Sequence, residues 1–376
     1  MLRIFIGLTG TILAVFLTFY LKVRIYDFPA PQPFSGQHWY NPYARLGDTL
    51  LRANFHAHTY CWWGITNGED TEAAMHQAYQ EEGYAVVGIS NYHAICTYHA
   101  DDPAFVPVYE HGLNPDKIHT LAIGARKVAP TLFPWHFSIH QKQQEIEAVG
   151  QIATLVALAH PTTGRYHPRE ISLLSGFQLM EVGHSTGIEE AQWDVALSSG
   201  KPVWILCNDD THSLTREPPF NRWSRIYCSE VSGESVVRSL TEGRHYGVWA
   251  YDEACEDNRI TEFKITGDTL YFAVRDTANR IDLIGQDGQQ RATVAGDRHI
   301  AYLLKPDDTY VRVEVHHDHG IMYLNPVVRY DGTLPYGMPP AVNQTMTWLV
   351  RIGVAGLILL VVVVTRRMLR QTRQPR

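Results

Sequence analysis

Two apolar runs stand at opposite ends of this chain, residues 4–21 and 347–365, and they dictate how everything between them is displayed. Ile4 to Leu21 is free of charged residues, and its 18 positions are just enough for a helix to span a bilayer. No small-x-small cleavage pattern precedes Tyr26-Asp27-Phe28-Pro29, so the run reads as a retained anchor rather than a cleaved signal peptide. The second run carries Arg351 near one end, where a long side chain can reach the interface beside Trp348. Two spans put both termini on one side and the body on the other. Arg3 and the tail, residues 366–376 with Arg366, Arg367, Arg370, Arg373 and Arg376, place both ends in the cytoplasm by the positive-inside bias; Lys22 and Arg24 pull weakly the other way. The expectation is a two-pass protein of the plasma or inner membrane with its body outside the cytoplasm. Pro29, Pro31 and Pro33 stiffen the linker, residues 22–49.

Residues 50–252 alternate short apolar strands with amphipathic helices. Strand patterns fall at 52–56, 84–89, 117–123, 154–159, 177–182 and 203–207, and helical ones at 71–82, 139–150, 188–198 and 233–240. Asp70 or Thr71 caps the first helix and Gly83 stops it. Such alternation predicts an α/β fold with a parallel sheet, open or closed as a barrel. From 253 to 335 the period changes to two, as in Ile260-Thr261-Glu262-Phe263-Lys264-Ile265, with turn signals at Gly267-Asp268 and Gln286-Asp287-Gly288. That predicts a small antiparallel β domain, plausible as a sandwich. A net charge of -7 argues against a nucleic-acid partner. The five cysteines are scattered without a C-x-x-C pair; a Cys61–Cys96 disulfide stays open.

Histidine is the compositional outlier, at 19 residues, and its placement carries the chemistry. His56 and His58 end the first strand pattern at i and i+2, so both imidazoles can face one ion. Asp210 and His212 repeat that spacing after the strand ending at Cys207. His160-Pro161 ends a third strand, Glu110 follows Val106-Pro107-Val108-Tyr109, and His119 lies in a further one. Strand ends of a β/α alternation are where such folds place their sites. Imidazole with carboxylate suits zinc, manganese or iron. His316-His317-Asp318-His319 looks ligand-rich but precedes Gly320 between two strands and reads as a hairpin turn. His184 is a weaker pocket candidate.

Phe55-His56-Ala57-His58-Thr59 resembles the first motif of the polymerase and histidinol phosphatase (PHP) family. Gly83 to Ser90, then Glu110, Ile118-His119, Leu158-Ala159-His160-Pro161 and Asp209-Asp210-Thr211-His212 resemble the later ones, over about residues 50–250. The resemblance implies a distorted seven-stranded β/α barrel with up to three metal ions. It makes Glu110 a bridge between two of them, gives His56, His58 and Asp210 to one, His119 and His160 to the other, and His212 to the third. The region ending Leu324-Asn325-Pro326 is similar to an extension some members carry. Two departures stand out: Trp63 and Tyr92 occupy positions where the family has third-metal ligands. Two divalent ions are therefore expected as the working form, with His93 as a substitute ligand should the loop shift by one residue.

The function implied is hydrolysis of a phosphoester by a metal-bound hydroxide, with Asp210 or His212 passing the proton and Arg165 clamping phosphate. The substrate would be a small phosphorylated compound or a lipid head group. Two alternatives stay open: a metal-dependent amide, ester or carbamate hydrolase, and a catalytically degenerate metal-binding module.

Overall fold

The computed structural model describes every residue except 48, 186, 217–218, 256–257, 335–337 and 373–376, so Arg373 and Arg376 of the tail, and the expected boundary at 335, lie outside the described residues. The N-terminal apolar run forms the helix Leu2–Thr18, extended by the tighter turn Phe19–Lys22. The C-terminal run forms Gln344–Gln371, capped by the Asn343 side chain, which accepts from Met346 N at 2.9 Å. Both helices are long and apolar enough to cross a membrane. They pack side by side, close enough that a Cβ on Gly10 would overlap Thr365. Where they meet the body, the chain ends are tied twice. Tyr26–Asp27 pairs antiparallel with Ala341–Val342, and Arg351 donates to the carbonyls of Val23 (2.9 Å) and Lys22 (3.1 Å).

The expected helices are present: Glu72–Glu81 with Thr71 as N-cap, Ile139–Gly150, Glu190–Ser198 and Gly233–Thr241. The strands are present too, mostly shorter. One sheet runs Trp204–Cys207, Leu179–His184, Leu155–Leu158, Thr120–Ile123, Val108–His111 in that order. Its first three strands are parallel, as expected. Thr120–Ile123 runs antiparallel to both of its neighbours, Val108–His111 and Leu155–Leu158. For the first of these pairs the reason is connection length: residues 112–119 are too few for a helical crossover, which takes about a dozen or more, so the chain turns straight back.

The second sheet departs further from expectation. Thr49–Asn54, with Val86–Val87 parallel beside it, continues through Arg222–Cys228 and His245–Ala250 into Gly320–Tyr330, Tyr310–His317, Thr269–Gly285 and Ile260–Thr266. The period-two region is antiparallel as read. Its strands carry on the sheet that holds Thr49–Asn54, so the boundary at 252/253 does not separate two sheets. The weld is chemical as well: Asp194 on the helix Glu190–Ser198 receives a two-pronged bond, 2.8 and 2.8 Å, from Arg312 on Tyr310–His317. His317 opposes Gly320 across Asp318-His319, the expected hairpin turn. All five cysteines are free, Cys61 and Cys96 included.

Candidate metal centre

The two sheets approach where the ligand candidates sit. Backbone bonds run from His58 N to Thr211 O (2.8 Å), from Asp210 N to His56 O (3.0 Å), and from Glu110 N to Ser90 O (3.0 Å). Asn54 and Asn208 brace the join reciprocally, accepting from Asp209 N (3.0 Å) and Phe55 N (2.8 Å). His56 and His58 thus lie just past Thr49–Asn54, Asp210 and His212 just past Trp204–Cys207, His160 just past Leu155–Leu158, and His119 just before Thr120–Ile123.

Four atoms converge: His56 Nε2, His58 Nε2, Glu110 Oε2 and Asp210 Oδ1. The two imidazoles are 3.1 Å apart; Glu110 is 3.4 and 3.1 Å from them, and Asp210 3.1 and 3.4 Å. A tetrahedral ion with bonds of about 2.0–2.1 Å needs edges of about 3.3 Å. The other Glu110 oxygen, Oε1, lies 2.7 Å from His119 Nδ1 and 3.1 Å from His160 Nε2, which are 3.4 Å from each other. One carboxylate thus offers an oxygen to each of two ligand sets. The second set has three protein atoms and leaves a position open, as a catalytic site requires.

Buried polar atoms normally have partners. Here Glu110 Oε2, Asp210 Oδ1, His58 Nδ1, His160 Nδ1 and His212 Nε2 are buried without a hydrogen bond. Divalent cations between the carboxylates and imidazoles satisfy the two orphaned oxygens, so these residues fit such ions. Burial disfavours a charged imidazole, yet the Asp210, Glu181 and Glu110 carboxylates outweigh it and raise the His56 pKa; hydrogen bonds to Asp210 and Glu110 do the same for His58. Burial of Glu110 is outweighed in turn by His119 and His56, which hold its carboxyl well below the usual range.

Glu181 escaped the sequence reading. It receives His56 Nδ1 (2.9 Å), Asn208 Nδ2 (2.9 Å) and His160 N (2.9 Å), which turns His56 Nε2 toward the ligand set. The available signal was a carboxylate inside the otherwise apolar strand Leu179–Met180–Glu181–Val182.

His58, Asp210 and His212 form a third group that shares two of its members with the first. His212 Nδ1 is taken by Asp210 O at 2.8 Å, leaving Nε2 free. Burial, then repulsion from His58, lowers the His212 pKa to about 4. Trp63 is 84% exposed, while Tyr92 stacks on His58 with ring centres 4.5 Å apart. His93 turns away: its Nε2 accepts from Gly112 N (3.1 Å) and Leu113 N (3.3 Å).

The cavity over these groups, ≈ 350 Å³, is lined by Tyr92, Lys117, His119, His160, Asp210, His212 and, as weakly expected, His184. Arg165 is not among the lining residues. It sits exposed on the turn after His160, where Gly164 N bonds His160 O (2.9 Å) and Tyr166 N bonds Pro161 O (2.9 Å). The turn folds back on itself and leaves Arg165 on its outer side. Lys117 and Arg216, which the sequence reading passed over, are exposed cations that do line the cavity, and Arg216 pairs with Glu69 at 2.8 Å. Lys117, His160 and Asp210 hold φ of +52°, +27° and +51°, and non-glycine residues in that region gather at functional sites.

No family model and no curated protein matches the chain. A crystal structure from Bacteroides vulgatus, of a two-domain protein containing a predicted PHP-like metal-dependent phosphoesterase, aligns over 81% of this chain and 99% of that one at 11% identity, with a TM-score of 0.40.

Proposed function

We propose that the chain is a membrane-anchored, two-metal phosphoesterase of the PHP type. The observation that carries it is the Glu110 carboxylate, with one oxygen in each of two ligand sets. The barrel reading has its own support. The strands Thr49–Asn54, Val86–Val87, Val108–His111, Thr120–Ile123, Leu155–Leu158, Leu179–His184 and Trp204–Cys207 follow one another through ladders and through two isolated bridges, Tyr92↔Glu110 and Ala57↔Thr211. Two divalent cations, when bound, supply an activated water at neutral pH and neutralise phosphoryl oxygens.

The chain's own groups do the rest. His56, His58 and Asp210 hold one ion, His119 and His160 the other. Zinc, manganese and iron all suit these nitrogen and oxygen donors. Asp210 is committed as a ligand. His212, with Nδ1 held by Asp210 O and Nε2 free, is placed to take a proton from the attacking water and pass it to the leaving oxygen. Lys117 replaces Arg165 as the cation that meets the phosphate. The basic tail sets both termini in the cytoplasm and the pocket outside it.

The test is metal content by elemental mass spectrometry on the full chain in detergent, paired with turnover of p-nitrophenyl phosphate and of an amide and a carboxylic ester. About two ions per chain, with phosphoester turnover abolished in His58→Ala, is the expected result. Turnover of the amide or carboxylic ester alone points to the other hydrolase class, and metal without turnover to a binding module.

A further inference from the structure

The cavity mouth and the membrane helices are joined by an unbroken line of contacts. Trp62 Nε1 donates to Tyr92 O in the cavity wall at 2.7 Å. The next residue, His93, is bonded through Nε2 to the Leu113 backbone (3.3 Å) and to Thr131 Oγ1 (3.2 Å). Leu132 and Phe133, directly after Thr131, pack against Phe16, Tyr20, Val350 and Val354 of the two apolar helices. Tyr20 OH donates to Trp135 O at 2.9 Å, and its ring lies 5.4 Å from that of Phe137. At the same level Arg351 lies over Trp348, the pairing expected where a helix leaves the bilayer.

The loops that build the mouth are apolar at their tips. The segment that supplies Asn67 and Glu69 to the cavity carries Trp63 and Ile65, 84% and 75% exposed. The loop that supplies Lys117 and His119 carries Leu113, 55% exposed, and the neighbouring loop carries Phe137 at 66%. Exposed apolar side chains gathered in this way mark an interaction surface. Continuity with the ends of the two apolar helices says which one: the bilayer surface.

Resting on the phosphoesterase reading, we propose that this rim seats on the leaflet and that the pocket takes the phosphate of a membrane lipid. Lys117 meets the head-group phosphate while the acyl chains stay in the bilayer. With a phosphate monoester lipid, water adds its oxygen to phosphorus, the bond from phosphorus to the glycerol oxygen breaks, and that oxygen takes the proton. The products are diacylglycerol and inorganic phosphate.

The experiment uses the full chain, metal-loaded, reconstituted into phosphatidylcholine vesicles doped with phosphatidate, with p-nitrophenyl phosphate as the soluble probe. The variant Trp63→Ser/Phe137→Ser removes two exposed rim residues outside the metal centre. It is expected to lower phosphatidate turnover about tenfold or more while p-nitrophenyl phosphate turnover and metal content hold, because one large apolar side chain withdrawn from lipid is worth that factor. Vesicles with brominated acyl chains give a readout independent of turnover: they should quench tryptophan emission, with part of the quenching lost in Trp63→Tyr. Hydrolysis of the soluble ester with phosphatidate untouched, or equal losses on both probes, overturns the lipid inference and leaves the phosphoesterase standing. Absence of quenching at Trp63, with the double variant instead changing the particle's mass, makes the rim a protein contact and also overturns it. No turnover of either probe by the metal-loaded chain overturns both readings.

Discussion

Among the described residues, two clusters combine carboxylates with histidine closely enough to hold an ion: Glu110 with its surrounding imidazoles, and Asp282–Glu314–His316 on the long antiparallel strands. By residue type they are alike. They differ in what balances the charge. In the second cluster Arg312 bonds Asp194 and Glu314, Arg280 Nε donates to Asp282 Oδ2 at 2.6 Å, and Thr293 Oγ1 donates to Asp282 Oδ1 at 2.7 Å. No buried side-chain atom of Asp282, Glu314 or His316 is left without a partner. Around Glu110 no arginine or lysine ion pair with the ligand carboxylates occurs among the described residues, and orphaned oxygens remain. The second cluster is a closed network that fastens sheet to helix. The first is short of positive charge, which divalent cations would supply.

The largest expected effect that could break this contrast comes from Glu110→Gln. It should cost more than the roughly 10–100-fold typical of an outer-shell change in a metal site, in both metal affinity and phosphoester turnover. Glu314→Gln should leave metal content at its wild-type value; elemental mass spectrometry on both variants decides. Next, Arg312→Leu takes the guanidinium partner from the buried Asp194 and Glu314 carboxylates and should destabilise the fold by about 3–5 kcal/mol in urea unfolding. Metal bound per folded chain should not change.

Glu181→Gln keeps the shape but weakens the bond that orients His56. A loss of roughly 10–100-fold in metal affinity is expected by competition with a chelator. The smallest effect is on pH dependence. Burial would raise the Glu314 carboxyl, but the His316 hydrogen bond and the Arg312 charge outweigh it and hold it below the usual glutamate range. A folded-state value below the unfolded one stabilises fully above about pH 4.5 and loses that contribution as the pH falls through the folded value. Urea midpoints at pH 7 and at pH 4 should therefore diverge less in Arg312→Leu than in the wild type.

Much of the centre was legible in the sequence because strand periodicity is local: His56 with His58, and Asp210 with His212, needed only the i, i+2 rule. The helix Ile139–Gly150 was legible to the residue because helical periodicity is also local. What stayed hidden depends on chain reversal. The antiparallel run of Val108–His111 and Thr120–Ile123 follows from a loop whose path no periodicity encodes. That Lys117 lines the cavity and Arg165 does not goes with left-handed backbone at both residues, φ +52° and +49°. The continuity of the β region with the sheet that holds Thr49–Asn54 is decided by pairing between residues far apart in the chain, such as Tyr246 with Leu324.

The most direct test of a shared carboxylate is anomalous diffraction from crystals of the full chain grown with zinc or manganese. The account predicts two peaks flanking Glu110, about 3.5–4 Å apart as in two-metal hydrolases, and none at Asp282–Glu314–His316. A single peak, a fully occupied third peak at His212, or density at the second cluster would contradict it.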